Sequence, residues 1–339
     1  SLPHCHRIPW RQLLISARNA ASTWFIYPLE AIDPAFVLDS PNSTPSLPAE
    51  ITLEIFQSCV DVSSESYLDT ATVLPGPDLA PLLLLQICRQ WREIALSNPL
   101  LWRSLHIMED VPTELIDTWF ARAGDLPLQY HLQNHNPSEE IISSLLKNSL
   151  LYASRWEDVR FIIPISLVPE FDLGSQSFPH LRKFALDTHP VGPMNTLNAS
   201  TAVPIGDAPL LGAVRLSNIL PTMQLDFPWA QLTDLKLHGM DIARCLSIVA
   251  GCLQLQHLEA FTTGASVTQP LLTLPTVQSI SSTSSENCLL QYVILPQLHK
   301  LVLHGSTTDQ HEHVEGARGL GPAFQLPAQG FSHLPCHLL

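Results

Sequence analysis

Charge is scarce in this chain, and positive charge scarcest. Only 14% of its 339 residues are Asp, Glu, Lys or Arg, and 17 basic residues stand against 31 acidic ones, a net charge of −14. That balance excludes a general electrostatic pull toward phosphate backbones or an anionic membrane surface. Long apolar runs are also missing. The longest stretch, Pro81 to Ile87, is interrupted by Gln86 and followed by Arg89, far short of the ~18 consecutive apolar residues that read as a spanning helix. Cysteines are few and unpaired in sequence. They stand at 5, 59, 88, 245, 252, 288 and 336 without a CxxC, which removes the metal-knuckle spacings and points to reduced thiols in the cytoplasm or nucleus.

Signatures of chemistry are absent too. There is no G-x-S-x-G and no P-loop, and Gly316, Gly319 and Gly321 miss the dinucleotide-binding spacing. His131 and His135 are four apart, but no HExxH glutamate accompanies them, and Pro127 and Pro137 flank a segment that reads as a strand. His311-Glu312-His313, near His304, has no third ligand at a metal spacing. Cys88 falls on an apolar helical stripe, where an inert thiol accounts for it better than a nucleophile does. No catalytic residue, cofactor or metal is assigned, and the chain reads as a binding protein, not an enzyme.

What is present is apolar mass: 45% of the residues are hydrophobic, enough for a small module and one larger domain. Residues 1–45 mix His, Arg, Trp and Pro without a period, and the chain starts at Ser1. They are read as a disordered or uncertain segment, the mark of a fragment or of an uncertain gene model. Leu13 to Ile32 is mildly apolar but carries Arg18 and Asn19 and lacks a signal-peptide layout. Ser40-Pro41-Asn42-Ser43-Thr44-Pro45-Ser46 is a linker composition.

A helix is expected from Pro48 to about Val60, with proline in the first turn and Glu50 near the positive end of the helix dipole. Its apolar residues form two sets, Ile51, Ile55 and Cys59, and Leu53, Phe56 and Val60. One face can serve a core and the other a partner. Residues 61–80 read as a loop around Pro75-Gly76-Pro77. Helical periodicity resumes at Pro81 with Leu84, Ile87, Cys88, Trp91, Ile94 and Ala95 on one side. It must stop near Ser97, because Asn98 precedes Pro99.

The ordered phrases Leu47-Pro48-Ala49-Glu50-Ile51, Cys88-Arg89-Gln90-Trp91-Arg92 and Pro99-Leu100-Leu101-Trp102 closely resemble the F-box of fungal, especially mushroom-type, F-box proteins. The resemblance covers about 60 residues. It implies a three-helix module that docks on a Skp-type adaptor and through it on a cullin scaffold. It also implies adaptor contacts at Leu47, Pro48, Ile51 and Ile55, and at Leu84, Ile87, Cys88 and Trp91. Two readings stay open for Arg89 and Arg92, contact with acidic groups on the adaptor or, ahead of that, a solvated helix face, and Trp91 and Trp102 are read equally as core anchors.

Further along, Leu101–Ile107 and Leu126–Leu132 read as short strands and Glu139–Leu151 as an amphipathic helix. A phrase then repeats: Pro179-His180-Leu181-Arg182-Lys183-Phe184-Ala185-Leu186, Pro209 to Leu216, and Pro296 to Leu303, with a variant at Trp229 to Leu237. Its middle apolar position falls at 184, 214, 235, 258, 280 and 301, in steps of 30, 21, 23, 22 and 21. Four of these steps lie within the roughly 20–29-residue period of leucine-rich repeats. The region resembles a degenerate leucine-rich repeat, although the ladder Asn or Cys is mostly missing and a generic α/β domain stays open.

The expected fold class is therefore α+β with an α/β repeat: a three-helix F-box followed by a degenerate leucine-rich-repeat-like solenoid with a parallel sheet. The expected divisions are 1–45, an F-box at 46–107, a connection at 108–155, the repeat region at 156–305 and an uncertain tail at 306–339. Alternation sends the residues between the inward positions onto one open sheet face. That face would carry Lys183, Asp187, Arg215, Lys236, His238, Glu259, Lys300 and His304, with Ala185, Ser217, Asp234, His257 and Val302. Its mixed charges suit a protein ligand. The expected role is a substrate receptor of a cullin ubiquitin ligase, binding an unknown protein substrate, with no nucleic-acid or membrane partner. A non-ligase F-box scaffold is the alternative.

Overall fold

A computed structural model of the chain describes residues 47–60, 79–108, 111–133, 139–170, 173–189, 202–263, 268–283, 288–304 and the backbone of 314–315. The N-terminal segment and linker, the Pro75-Gly76-Pro77 loop, His135, His311-Glu312-His313 and the glycines from 316 lie outside the described residues. The chain divides into two units, Ser1–His106 with Thr118–Leu126, and Ile107–Asp117 with Pro127–Leu339.

The first unit starts with α1 (Ala49–Val60). Pro48 supplies its first turn, its carbonyl accepting from both Thr52 N (3.0 Å) and Thr52 Oγ1 (3.1 Å). The single helix expected after Pro81 is two: α2 (Leu84–Ile87) and α3 (Arg89–Ser97). Between them Cys88 is extended (φ −158°, ψ 168°), and its sulfur accepts from Trp91 N at 3.5 Å, the position of a helix N-cap. Arg92 Nε donates to Leu85 O across the break (2.8 Å).

As the proline rule requires, α3 stops at Ser97. Asn98 then accepts from Leu100 N (3.2 Å) and caps a 3₁₀ turn, Pro99–Trp102. Only the end of the expected Leu101–Ile107 strand is extended, β1 (Ser104–Ile107). Trp102 is fully buried. Its indole donates to Ala95 O (2.9 Å), its ring meets Trp119 of α4 (Thr113–Arg122) edge-on at 5.0 Å, and the Arg122 guanidinium lies 4.5 Å from its centroid. Of the two open readings, Trp102 is a core anchor.

The second unit is a mixed α/β region with a large parallel sheet. In chain order it contains β2 (Leu128–Gln133), α5 (Glu139–Leu150), β3 (Trp156–Pro164), β4 (Lys183–His189), β5 (Ala202–Pro204), β6 (Ala213–Ser217), β7 (Gln224–Asp226), β8 (Asp234–Asp241), α6 (Ile242–Ala250), β9 (His257–Thr263), β10 (Leu272–Thr273), β11 (Ser279–Thr283), β12 (Val293–Ile294), β13 (Lys300–His304) and β14 (Val314–Glu315). The main sheet runs β2-β3-β4-β6-β8-β9-β11-β13-β14. All neighbours from β2 to β13 are parallel, and β14 closes the outer edge antiparallel to β13. Such pairing blunts an edge that would otherwise recruit another strand. The shorter strands pair as β5 with β7 and β10 with β12.

The register follows the repeat. Tyr130, Val159, Phe184, Val214, Leu235, Leu258, Ile280 and Leu301 are successive partners across eight strands, so the six positions picked from spacing form one column, which extends two strands toward the N-terminus. Strand entries are locked by shared carbonyls. Gly212 O accepts from Thr233 N (2.9 Å) and Asp234 N (3.0 Å), and Thr233 O accepts from Gln256 N (2.8 Å) and His257 N (2.9 Å). The same step recurs at Gln256 O and Gln278 O.

Behind the column, aromatic rings fill the N-terminal part of the core. Phe161 lies 5.5 Å from Trp156, 6.0 Å from Tyr130 and 6.3 Å from Phe184, and Phe184 lies 5.6 Å from Phe227. Toward the C-terminus leucines and α6 replace them. Asp241 caps α6 by accepting from Arg244 N (2.9 Å), and the Arg244 guanidinium donates to the carbonyls of Leu220 and Met223.

Candidate functional site

Two surfaces carry the residues singled out by sequence, one in each unit. In the first unit the two apolar sets of α1 separate as expected. Phe56 and Val60 are buried, whereas Ile51 and Ile55 are each 44% exposed and Cys59 is exposed. Leu47 (50%) and Ile87 (51%) are exposed as well, and so are Leu96 and Leu100, which sequence reasoning left out. These are large apolar side chains left in water on a small module.

Other residues assigned to that surface face inward or act locally. Leu84 is 4% exposed and belongs to the core. Trp91 is half-buried, its ring edge-on to Phe56 at 4.9 Å, which makes it an internal anchor with one exposed margin. Cys88 is half-buried and caps α3. Pro48 is exposed at the head of α1. Arg89 pairs with Glu93 at 2.9 Å on a solvated face.

In the second unit, the half-exposed positions alternate with the buried column to give three rows on the open face. The middle row, read across strands, is His131, Arg160, Ala185, Arg215, Lys236, Glu259, Ser281 and Val302. One row over, His238 is the partner of Phe261, and Thr283 of His304.

Four of the predicted surface residues form one hydrogen-bonded set. Glu259 accepts from His238 Nε2 at 2.7 Å and meets Lys236 Nζ at 3.3 Å, and His238 Nδ1 lies 3.5 Å from Arg215 Nη2. A carboxylate only accepts, so His238 Nε2–H is the donor to Glu259. Burial acts to raise the Glu259 carboxyl, but the hydrogen bond from His238 and the charge of Lys236 outweigh it and hold the group down at about 2.

Phe261 completes the set. Its ring stacks on His238 at 4.6 Å and meets His304 edge-on at 5.0 Å, while His304 Nε2 lies 2.9 Å from Ser281 Oγ. Sequence reasoning missed Phe261, although its place two residues after Glu259 in the alternation put it on the same face. The bend that presents His238 comes from a bulge at Gly239 (φ 68°), where a Cβ would sit 2.5 Å from Asn218 Oδ1.

The remaining predicted residues stand apart. Lys183 lies 3.8 Å from Asp158, which also faces His131 at 3.6 Å. Asp187 accepts from Asn218 Nδ2 at 3.0 Å, and Lys300 is exposed on the last parallel strand. Ser217 corrects the expected pattern: it is 1% exposed. Asn218 beside it turns left-handed (φ 56°) and closes over the strand end, its carbonyl accepting from Thr188 Oγ1 at 2.7 Å. Among the described residues the free thiols are Cys59, Cys88, Cys245, Cys252 and Cys288. Burial pushes Cys245 and Cys252 up to about 12, which fits inert core sulfurs.

Compared with known families, residues 44–108 match the family described as F-box-like, so an F-box-like domain occupies that part of the chain. The match falls on the unit that leaves Leu47, Ile51, Ile55 and Ile87 exposed. No curated protein and no solved structure matches the chain.

Proposed function

We propose that this chain is an F-box substrate receptor: its first unit binds a Skp-type adaptor, and its parallel array holds a protein substrate for an SCF-type cullin ubiquitin ligase. F-box-like domains typically bind Skp-type adaptors. The observation that carries the reading is the split α1 helix, with Phe56 and Val60 in the core and Ile51 and Ile55 in water beside Leu47 and Ile87. Within one short helix, burying a second apolar face requires a partner. We read the in-register column as a leucine-rich-repeat-like scaffold, whose open face selects the substrate. The chain then performs no chemistry of its own, needs no cofactor and works in the cytoplasm or nucleus alongside the ligase.

The test is capture of a purified Skp-type adaptor by the full chain. Changing Leu47, Pro48 and Ile51 together to Ala is expected to weaken capture by about a hundredfold, since each exposed aliphatic contributes on the order of 1–2 kcal/mol when buried. Unchanged capture by a folded variant overturns the reading. Adaptor binding without adaptor-dependent ubiquitination of any trapped protein selects the alternative, a scaffold that works outside the ligase.

A further inference from the structure

Lysine is among the commonest residues of soluble domains, yet this chain has four in 339 residues, against thirteen arginines. The first stands at 147, so residues 44–108, the F-box-like domain, hold Arg89, Arg92 and Arg103 and no lysine. Either side chain offsets a net charge of −14 equally well. Their chemistry differs. An ammonium can give up a proton and attack as an amine, whereas a guanidinium stays protonated and is no nucleophile.

All four lysines are among the described residues. Lys147 is exposed on α5 and engaged there. The other three lie on the open face. Lys183 and Lys300 share a register row through Ala213, Asp234, His257 and Ser279, which sets them about 24 Å apart at the strand spacing. Lys236 stands in the middle row with Arg160 and Arg215. Its Nζ is tethered to Glu259 at 3.3 Å with the side chain 42% exposed, and Lys183 reaches Asp158 at 3.8 Å with its side chain 61% exposed. Lys300 is exposed at the start of β13 and has no carboxylate partner among the described residues. Exposed pairs restrain a side chain weakly, so Lys300 is the most available amine of the face, Lys183 follows, and Lys236 is the least.

Resting on the receptor reading above, we propose that lysine depletion spares this chain the modification it directs to its substrate, and that Lys300 is the ubiquitin acceptor left on it. In the step itself, uncharged Lys300 Nζ attacks the thioester carbonyl carbon that joins the ubiquitin C-terminus to a conjugating-enzyme cysteine. A C–N bond forms, the C–S bond breaks, and the departing thiolate takes up the proton that the nitrogen releases. A receptor stays beside that thioester through successive substrates, so every available amine it carries competes with theirs. An arginine in the same place supplies charge without competing. On the open face, recognition is thereby kept apart from reaction: two of the three cations in the middle row are guanidinium groups, and the third is held by Glu259.

The experiment is self-ubiquitination of the full chain, reconstituted with a Skp-type adaptor, a cullin scaffold, a conjugating enzyme and ubiquitin, with the modified lysines mapped by peptide mass spectrometry. The parent is expected to be modified slowly and mainly at Lys300, and Lys300→Arg to remove most of the product. Arg182 and Gln254 are exposed on strand-entry turns, and Arg182→Lys with Gln254→Lys is expected to raise the rate about threefold by restoring amines at little cost to the fold. A parent modified as fast as that double variant overturns the depletion claim. An unchanged rate in Lys300→Arg overturns the acceptor. Adaptor capture and acylation by an amine-reactive acetyl ester are measured on the same samples. Capture with fast modification spread over all four lysines overturns the inference alone, and absent capture overturns the receptor reading. The acylation order is independent of the ligase: Lys300 is expected first and Lys236 last, and equal labelling overturns the assignment of Lys300.

Discussion

The two units use the same aliphatic residues to opposite ends. In the parallel array Val159, Phe184, Val214, Leu235, Leu258 and Ile280 are all 2% exposed or less, and the polar side chains face water. In the F-box-like unit Ile51 and Ile55 stand 44% exposed, one helical turn apart, on a helix whose Phe56 is completely buried. An apolar side chain in the first set stabilises the fold. One in the second contributes little until a partner removes it from water. Location of function can thus be argued from where hydrophobic area is left over, without any conserved site to point to.

The comparison is broken most directly by mutation of matched residues. Phe184→Ala removes a ring packed between Phe161 and Phe227 and is expected to cost about 3–5 kcal/mol in urea unfolding of the full chain. Ile51→Ala is expected to leave that stability within about 0.5 kcal/mol while weakening adaptor capture about tenfold. If Ile51→Ala unfolds the protein as readily as Phe184→Ala does, the exposed stripe is structural and the contrast between the units disappears.

Both units were partly legible in the sequence, for different reasons. The α1 stripes follow from 3.6-residue periodicity alone, and the stop at Ser97 from the residue-before-proline rule. The column from Phe184 to Leu301 was legible because each strand enters by the same Leu-containing turn, which sets the spacing and the register together. Toward the N-terminus the period loosens, from 21–23 residues between Val214 and Leu301 to 30 between Phe184 and Val214, 25 between Val159 and Phe184 and 29 between Tyr130 and Val159. There the core is filled by Trp156, Phe161 and Phe178 instead of leucines, so no leucine phrase marks the strands.

What stayed hidden depends on single residues acting against their average behaviour. Cysteine is not a customary cap, so Leu84 to Ser97 reads as one helix until the Cys88 sulfur is seen to accept from Trp91 N. Leu84 then turns inward while Ile87, at the end of the short α2, stays exposed. Ser217 is covered because Asn218 takes a left-handed backbone, which strand alternation alone does not anticipate. The linkage of Arg215, His238 and Glu259 is a matter of rotamers across three strands, beyond any reading of spacing.

A smaller effect separates the polar face from ordinary surface. Glu259 is held at about 2 in the folded chain, below its unfolded range near ~4.3, so it favours folding fully above that range. The contribution is lost as pH falls through the interval toward about 2. Glu259→Gln is therefore expected to be less stable than the parent at pH 5, with the gap narrowing by pH 3, in paired urea titrations. A gap that stays constant would mean that His238 and Lys236 do not hold the carboxylate, and that this cluster is no more organised than the rest of the surface.

The smallest expected effect sits on the F-box-like unit. Arg89 and Glu93 pair at 2.9 Å with side chains 79% and 65% exposed, so solvent screens them and Arg89→Ala is expected to cost about 0.3–0.5 kcal/mol. Adaptor capture distinguishes two roles for this arginine. If the pair only decorates a solvated helix face, Arg89→Ala captures adaptor within about twofold of the parent, and the apolar stripe of Leu47, Ile51 and Ile55 alone accounts for docking. A tenfold loss that fades at high salt would instead place Arg89 against an acidic group of the adaptor. Recognition on this unit would then be electrostatic as well as apolar.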